Sequence, residues 1–302
     1  MLNKTNVIEF NDDMQKLLSA MLSVNDVSKH LENNCWIAGG FARIISDIAF
    51  DSFSNKSVVH VLNYLSKGGD IDVFSNDIEY MYMIKSNLDK LKHEKTTYNL
   101  PYTANVETTM DNIIRPLKRR LNISLPSESL RLRRKRVKTQ FVNKFIFKDI
   151  KETFDNFDFS NSKFAIDKKN SKYRLHYTDN ALFFRDRKVL NIERIVSPML
   201  ACRMFKYNKK YEFNIINDSK LRSNIKEYLF KLVSGSWPDS IISSDDFHLV
   251  KLLHNAVELE SNELCLLLGM FSCVVSDKIP SGYGFYCDNH REVDWALHEM
   301  SK

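Results

Sequence analysis

Apolar residues recur at helical spacing from residue 12 to 32. Met14, Leu17, Leu18, Met21 and Leu22 fall on one side, and Asn11 or Asp12 is placed to cap the start. The short apolar run CWIAGG (35–40) reads as a buried strand closed by a glycine pair, and FARIISDIAFDSF returns to helical periodicity. VVHVLNYL (58–65) predicts a second short helix. GGDIDVF (68–74) alternates as a strand, and the stretch opening on Asp77 is helical again. Beyond Pro101, TANVETTM and TQFVNKFIF read as strands on either side of a basic segment. KDIKETFDNF predicts a short helix, DFSNSKFAID a further strand, and SKYRLHY its hairpin partner.

From about Asn191 the pattern turns helical: ERIVSPMLACRMFKYNKK, KLRSNIKEYLFKLV, DDFHLVKLLHNAVEL and NELCLLLGMFSCVV. Pro198 suits the first turn of a helix beginning near Ser197. The expected architecture is α+β, a small mixed sheet with flanking helices followed by an all-helical C-terminal domain. The boundary falls between residues 188 and 196, and no internal repeat or low-complexity tract interrupts it.

Composition narrows this little. Across 302 residues, 43% are apolar and 27% charged, which excludes a disordered chain, a fibre and a coiled-coil rod. No run approaches the length of a membrane helix, and the first fifteen residues lack the apolar core of a secretory signal, so a cytoplasmic protein is expected. Five scattered cysteines, with no CxxC pair, read as reduced thiols rather than a disulfide framework or a structural zinc site. Richness in Lys, Asn and Ile fits an AT-rich genome such as that of a phage or virus.

Charge adds more. Ten basic residues, Arg115, Lys118, Arg119, Arg120, Arg131, Arg133, Arg134, Lys135, Arg136 and Lys138, face Glu128 alone within residues 115–138, whereas the whole chain carries only +6. A basic island on a slightly acidic body points to a local polyanion site, with backbone contact to nucleic acid as its chemistry. Aromatic residues are absent from the island, so tracking of phosphates is expected rather than base reading. A solvated loop has the same composition.

Three features could carry chemistry. Asp70 and Asp72 are two apart on a strand and therefore share a face, where two close carboxylates call for a cation or a raised pKa. Two oxygen ligands on a rigid strand suit Mg²⁺ together with substrate phosphates. Gly39 and Gly40, between a strand and a helix, can bring backbone N–H groups to an anion; a tight turn alone would use them equally well. Asp158, between Phe157 and Phe159, is a surface acid that could become the third carboxylate of a two-metal site.

Taken together, WIAGGFAR, GGDIDVF and FDF resemble the DNA polymerase β-like nucleotidyltransferase superfamily, and within it the template-independent branch of CCA-adding enzymes and poly(A) polymerases. The likeness covers residues 35–75 and 138–167, more weakly 193–213. It implies a catalytic domain over 1–190, with a basic insertion at about 115–138, and a helical domain over 191–302. Gly39, Gly40 and Arg43 match the glycine–arginine turn, and Asp70, Asp72 and Asp158 match the three metal-binding acids. Arg203 and Lys206, three apart on one helical face, read either as a solvated basic face or as a pair of which one reaches the nucleotide triphosphate while Tyr207 stacks on base or ribose; the resemblance transfers that role to Lys206. The gap from Gly40 to Asp70 is longer than in those families, implying an insertion near residues 50–67, and further base-reading motifs of CCA enzymes are not found.

The function implied is transfer of a nucleoside monophosphate from an NTP to an RNA 3′-hydroxyl, with two Mg²⁺ ions (Mn²⁺ as a substitute) and release of pyrophosphate. The alternatives are a protein or small-molecule acceptor, as in antitoxin-like enzymes, and a non-catalytic nucleic-acid-binding protein on the same scaffold.

Overall fold

The computed structural model describes residues 4–90, 96–100, 103–121, 129–143, 145–193, 207 and 212–215. Two compact units divide the chain: Met1–Phe157 with Asn161–Leu182, and Asp158–Ser160 with Phe183–Lys302.

In chain order the elements are β1 (Thr5–Glu9), α1 (Asp12–Met21), α2 (Val27–His30), β2 (Cys35–Ala38), α3 (Gly40–Phe50), α4 (Asn55–Ser66), β3 (Asp70–Ser75) and α5 (Ile78–Lys90). They continue with β4 (Thr96–Leu100), β5 (Thr103–Thr109), α6 (Asp111–Leu121), α7 (Ser129–Arg133), β6 (Arg136–Val142), α8 (Ile150–Asp155), β7 (Phe164–Lys169), β8 (Lys172–Thr178) and α9 (Asp179–Asp186).

One mixed sheet organises the first unit, in the order β1-β8-β7-β2-β3-β6-β5-β4. Seven strands run from β1 to β5, and β4 extends the edge as an eighth. Only β3 and β6 are parallel neighbours; every other adjacent pair is antiparallel. The α+β class expected from the sequence is observed, on a larger sheet than expected. Ile37, Ile71, Val73, Val106, Ile166 and Leu175, drawn from five strands, are all fully buried. Helix α3 contributes Phe41, Ile44, Ile45 and Ile48 to the interior and packs against β2, β3 and β7.

Several local expectations are corrected. The helix expected over 12–32 is broken. Helix α1 ends at Met21, and a 3₁₀ turn over Val24–Asp26 carries Asn25 and Asp26 at φ 54° and 56° before α2 begins. Asn and Asp tolerate that left-handed conformation better than other non-glycine residues, so this is where the chain bends. Strand β1 is an element that helical or strand periodicity does not announce; Thr5, Val7 and Ile8 give it β-branched positions. The continuous strand expected from Asp158 to Asp167 is instead an isolated bridge at Phe159, a 3₁₀ turn over Ser160–Ser162, and then β7. The basic segment is not a plain loop, because α6 and α7 lie within it. The expected hairpin is formed: β7 and β8 are joined through Asn170 and Ser171, both at positive φ, as a two-residue turn that matches strand twist requires.

At this hairpin the Asp167 carboxylate receives Arg174 Nε at 2.9 Å and stands 3.0 Å from His176 Nε2. Burial raises the Asp167 pKa, but hydrogen bonds from His176 and Arg174 outweigh it and hold the carboxyl below its ordinary range.

The helices expected beyond residue 191 lie outside the described residues. Those described there include a short parallel pair, β9 (Val189–Leu190) with β10 (Asn214–Ile215). Among the described residues no helix is long and apolar enough to cross a membrane. Cys35 is buried and reduced, and burial pushes its thiol up to about 11.

Candidate active site

Strand alternation sets the chemistry of β3. Ile71 and Val73 turn into the core, while Asp70 and Asp72 share the opposite, half-buried face. Parallel pairing then places Lys138 beside Asp70 and Gln140 beside Asp72. On the far side of β6, antiparallel pairing places Glu107 beside Lys138 and Asn105 beside Gln140. Two polar rows therefore cross three strands, Asp70–Lys138–Glu107 and Asp72–Gln140–Asn105.

Gln140 ties them together. With its amide oriented to satisfy its neighbours, the nitrogen donates to Asp70 Oδ2 at 2.6 Å and to Asp72 Oδ1 at 3.1 Å. Its oxygen accepts from Lys138 Nζ at 2.9 Å. One nitrogen thus lies within hydrogen-bond reach of an oxygen from each carboxylate, so the two acids converge on a common point. Phe74, the next residue on that face, belongs to an apolar cluster with Trp36, Ala38, Val142, Phe154 and Ala165, flanked by Phe147, Ile150 and Phe157. The sheet face therefore passes from carboxylates to aromatic rings within one strand.

The glycine turn sits alongside. Gly39, at φ 86° and ψ −136°, occupies backbone space that side-chain-bearing residues rarely enter, and its N–H donates to the Phe164 carbonyl at 3.1 Å. Helix α3 starts at Gly40. Tyr64 of α4 explains why the second glycine of each pair is needed. A Cβ on Gly40 would lie 2.4 Å from the Tyr64 hydroxyl, and one on Gly69 would lie 2.4–2.6 Å from its ring carbons. The segment implied as an insertion thus supplies the helix that wedges Tyr64 between the turn and the start of β3.

The remaining sequence-predicted residues sit on other elements. Arg43 is buried along α3, with Nη1 3.7 Å from Asp47 Oδ2 one turn on. Asp158 lies in the second unit, on a bend whose carbonyl accepts the Glu193 N–H at 2.9 Å. Tyr207 packs edge-on against Phe159 and Phe213, at 5.4 and 5.7 Å between ring centroids. Arg203 and Lys206 lie outside the described residues.

Within the basic island, Arg115, Arg119, Arg120, Arg131, Arg134, Lys135 and Arg136 are exposed. Asp111 binds Arg115 Nε at 2.5 Å and stands 3.6 Å from Arg133 Nε, linking α6 to α7. Lys138 is set apart from them, in the row with Asp70.

The sequence reading missed Gln140, Asn105 and Tyr64, and also Lys163, which is only 2% exposed beside the first residue of β7. The alternation in VKTQF carries a faint signal, since Lys138 and Gln140 share a face while Val137, Thr139 and Phe141 take the other. Which strand they would face is not contained in that pattern.

Two hard carboxylates on one strand face are the donor type Mg²⁺ takes, commonly one or two together with substrate phosphates; the point on which Asp70 Oδ2 and Asp72 Oδ1 converge is itself filled by the Gln140 amide nitrogen. Among the described residues no group of three or more His, Cys, Asp or Glu side chains gathers as a metal cage.

Fold and site together define an α+β protein whose mixed sheet presents an acidic pair beside a glycine turn at a helix start. The chain belongs to the Gabija anti-defense 2 (Gad2) family, whose model matches residues 9–191, more than half of its length. No match is found among curated proteins. This corrects the assignment to the superfamily of CCA-adding enzymes and poly(A) polymerases. The match that carries a family is to Gad2, and it spans the strand–turn–helix and DxD segments on which the earlier resemblance rested.

Proposed function

We propose that this anti-defence protein acts as a divalent-metal-dependent nucleotidyltransferase in the infected host cell. The observation that carries the reading is the shared face of Asp70 and Asp72 on β3, beside a glycine turn that opens α3. A bound Mg²⁺ would be held by Asp70 and Asp72 and would neutralise phosphate charge. The α3 N-terminus, with Gly39 and Gly40 bearing no side chain, favours an anion at the same end of β3. Gln140 holds the carboxylates at a fixed separation. Tyr64 fixes the turn against the strand. In the reaction an acceptor hydroxyl oxygen bonds to the α-phosphorus of an NTP, the bond from that phosphorus to pyrophosphate breaks, and the hydroxyl proton leaves to solvent. Positioning and charge neutralisation are most of what such chemistry asks of a protein.

The exposed arginines of α6 and α7 support an RNA 3′-hydroxyl as acceptor. Family membership supports a second acceptor, a protein component of the Gabija defence itself. Both are examined in one experiment: Mg²⁺, each labelled NTP in turn, an RNA pool and purified Gabija proteins, with wild type against Asp72→Asn. Label in RNA or in protein, lost in the variant, identifies the acceptor. Absence of label from both, in a preparation that still relieves Gabija defence in infected cells, refutes the enzyme. Asp158→Asn in the same assay tests the metal-binding part assigned to Asp158 by the sequence.

A further inference from the structure

We infer that Lys138 is a ligand for the triphosphate of the nucleotide and not, as its place in the basic island suggests, part of a nucleic-acid surface. This rests on the nucleotidyltransferase reading and deepens it.

Register separates Lys138 from its sequence neighbours. Strand β6 begins at Arg136, which pairs with Thr109 at the sheet's margin and is exposed; two residues on, Lys138 lies between Asp70 of β3 and Glu107 of β5. Lys138 is half-buried, and its ammonium donates at 2.9 Å to the Gln140 amide that spans both carboxylates. By strand register, Lys138 is the island residue that pairs within these two rows.

Charge explains why a lysine is useful there. Asp70, Asp72 and Glu107 would together repel an incoming triphosphate. A divalent cation on Asp70 and Asp72 offsets part of that repulsion, and a fixed ammonium in the same row offsets more. An ammonium is a compact point charge on a flexible stem, suited to following phosphate oxygens rather than clamping one geometry. In the absence of nucleotide the same ammonium donates to the Gln140 amide oxygen.

The test uses the full chain as wild type, Lys138→Met, Lys138→Arg, the double variant Arg131→Ala/Arg134→Ala, and Asp72→Asn. Two quantities are measured on each: binding of non-hydrolysable analogues of the four NTPs with Mg²⁺ present, and binding of Mn²⁺ alone. Lys138→Met is expected to weaken analogue binding about 10- to 100-fold while Mn²⁺ binds as tightly or more tightly. Lys138→Arg, which keeps the charge, recovers most of the loss and shows that the fold is intact. The Arg131/Arg134 variant binds the analogue as wild type does.

Wild-type analogue affinity in Lys138→Met, alongside loss in Asp72→Asn, overturns the role of Lys138 and leaves the proposed enzyme standing. Equal weakening by the Arg131/Arg134 variant overturns it too, because the effect would then be diffuse attraction. If wild type binds neither analogue nor Mn²⁺, the function and this inference fall together.

Discussion

The Tyr64 hydroxyl occupies the space that a Cβ on Gly40 would need, at 2.4 Å, whereas the adjoining ring carbon Cζ stands at an ordinary 3.4 Å. Gly40→Ala should therefore destabilise the protein by about 1–3 kcal/mol through overpacking. Tyr64→Phe in the same chain removes the offending oxygen and should restore a large part of the loss, a coupling of about 0.5–3 kcal/mol in a double-mutant cycle read by urea denaturation. Gly69→Ala meets ring carbons instead, so Tyr64→Phe should not rescue it. Rescue of both glycine variants, or of neither, would show that the wedge is wrongly placed.

Replacing Asp72 by Asn should leave the fold in place and remove one of two converging carboxylates. Loss of nucleotide transfer by about a hundredfold or more is expected, as for a disturbed metal site. Thermal melting with and without Mg²⁺ gives an independent reading: wild type gains stability with the ion, and the variant gains little. An equal Mg²⁺-induced rise in both would place the cation elsewhere.

Acid should unfold this protein partly through Asp167. Its folded pKa lies below the ordinary 3.8. The group therefore contributes stability that is fully present above 3.8 and is lost as pH falls through the lower, folded value. Asp167→Asn lacks that titration, so its denaturation midpoint should fall less steeply over this acid range than that of wild type, after starting lower at neutral pH. Parallel curves would mean that Arg174 and His176 do not stabilise the carboxylate as their geometry implies.

Cys35 should resist alkylation in the native state. With its thiol pushed up to about 11 by burial, almost no thiolate exists at pH 8, and the sulfur is shielded as well. Peptide-level mass spectrometry after a short iodoacetamide pulse should find Cys35 unmodified until urea unfolds the first unit. Rapid native labelling would contradict the packing of β2.

What the sequence made legible was local. The strand–turn–helix from Cys35 to Phe50 and the shared face of Asp70 and Asp72 follow from periods of two and 3.6 residues and from what glycine permits, and they are found as expected. Long-range pairing was not legible. VKTQF announces two polar positions on one side of a strand, yet only the parallel docking of β6 on β3 makes Gln140 the partner of both acids. The same ignorance of pairing hid edge strand β1, and it grouped Lys138 with the arginines of α6 and α7. Family membership was obscured for a different reason: a glycine turn followed by a DxD strand is a short pattern, so those residues alone do not distinguish one family from another.

Sixty-eight residues separate Asp72 from Gln140, and their strands are parallel, so no hairpin can bring them together. During synthesis the two acids and the glycine turn emerge well before the residue that holds the acids in register. Loop closure over that distance must precede any native contact between the strands, which slows folding. The half-made sheet leaves the partner edge of β3 open and two like charges unmatched. A ribosome-bound chain ending before Arg136 should hence carry the whole acidic motif and yet show no affinity for metal, whereas one released past Val142 should acquire it cooperatively.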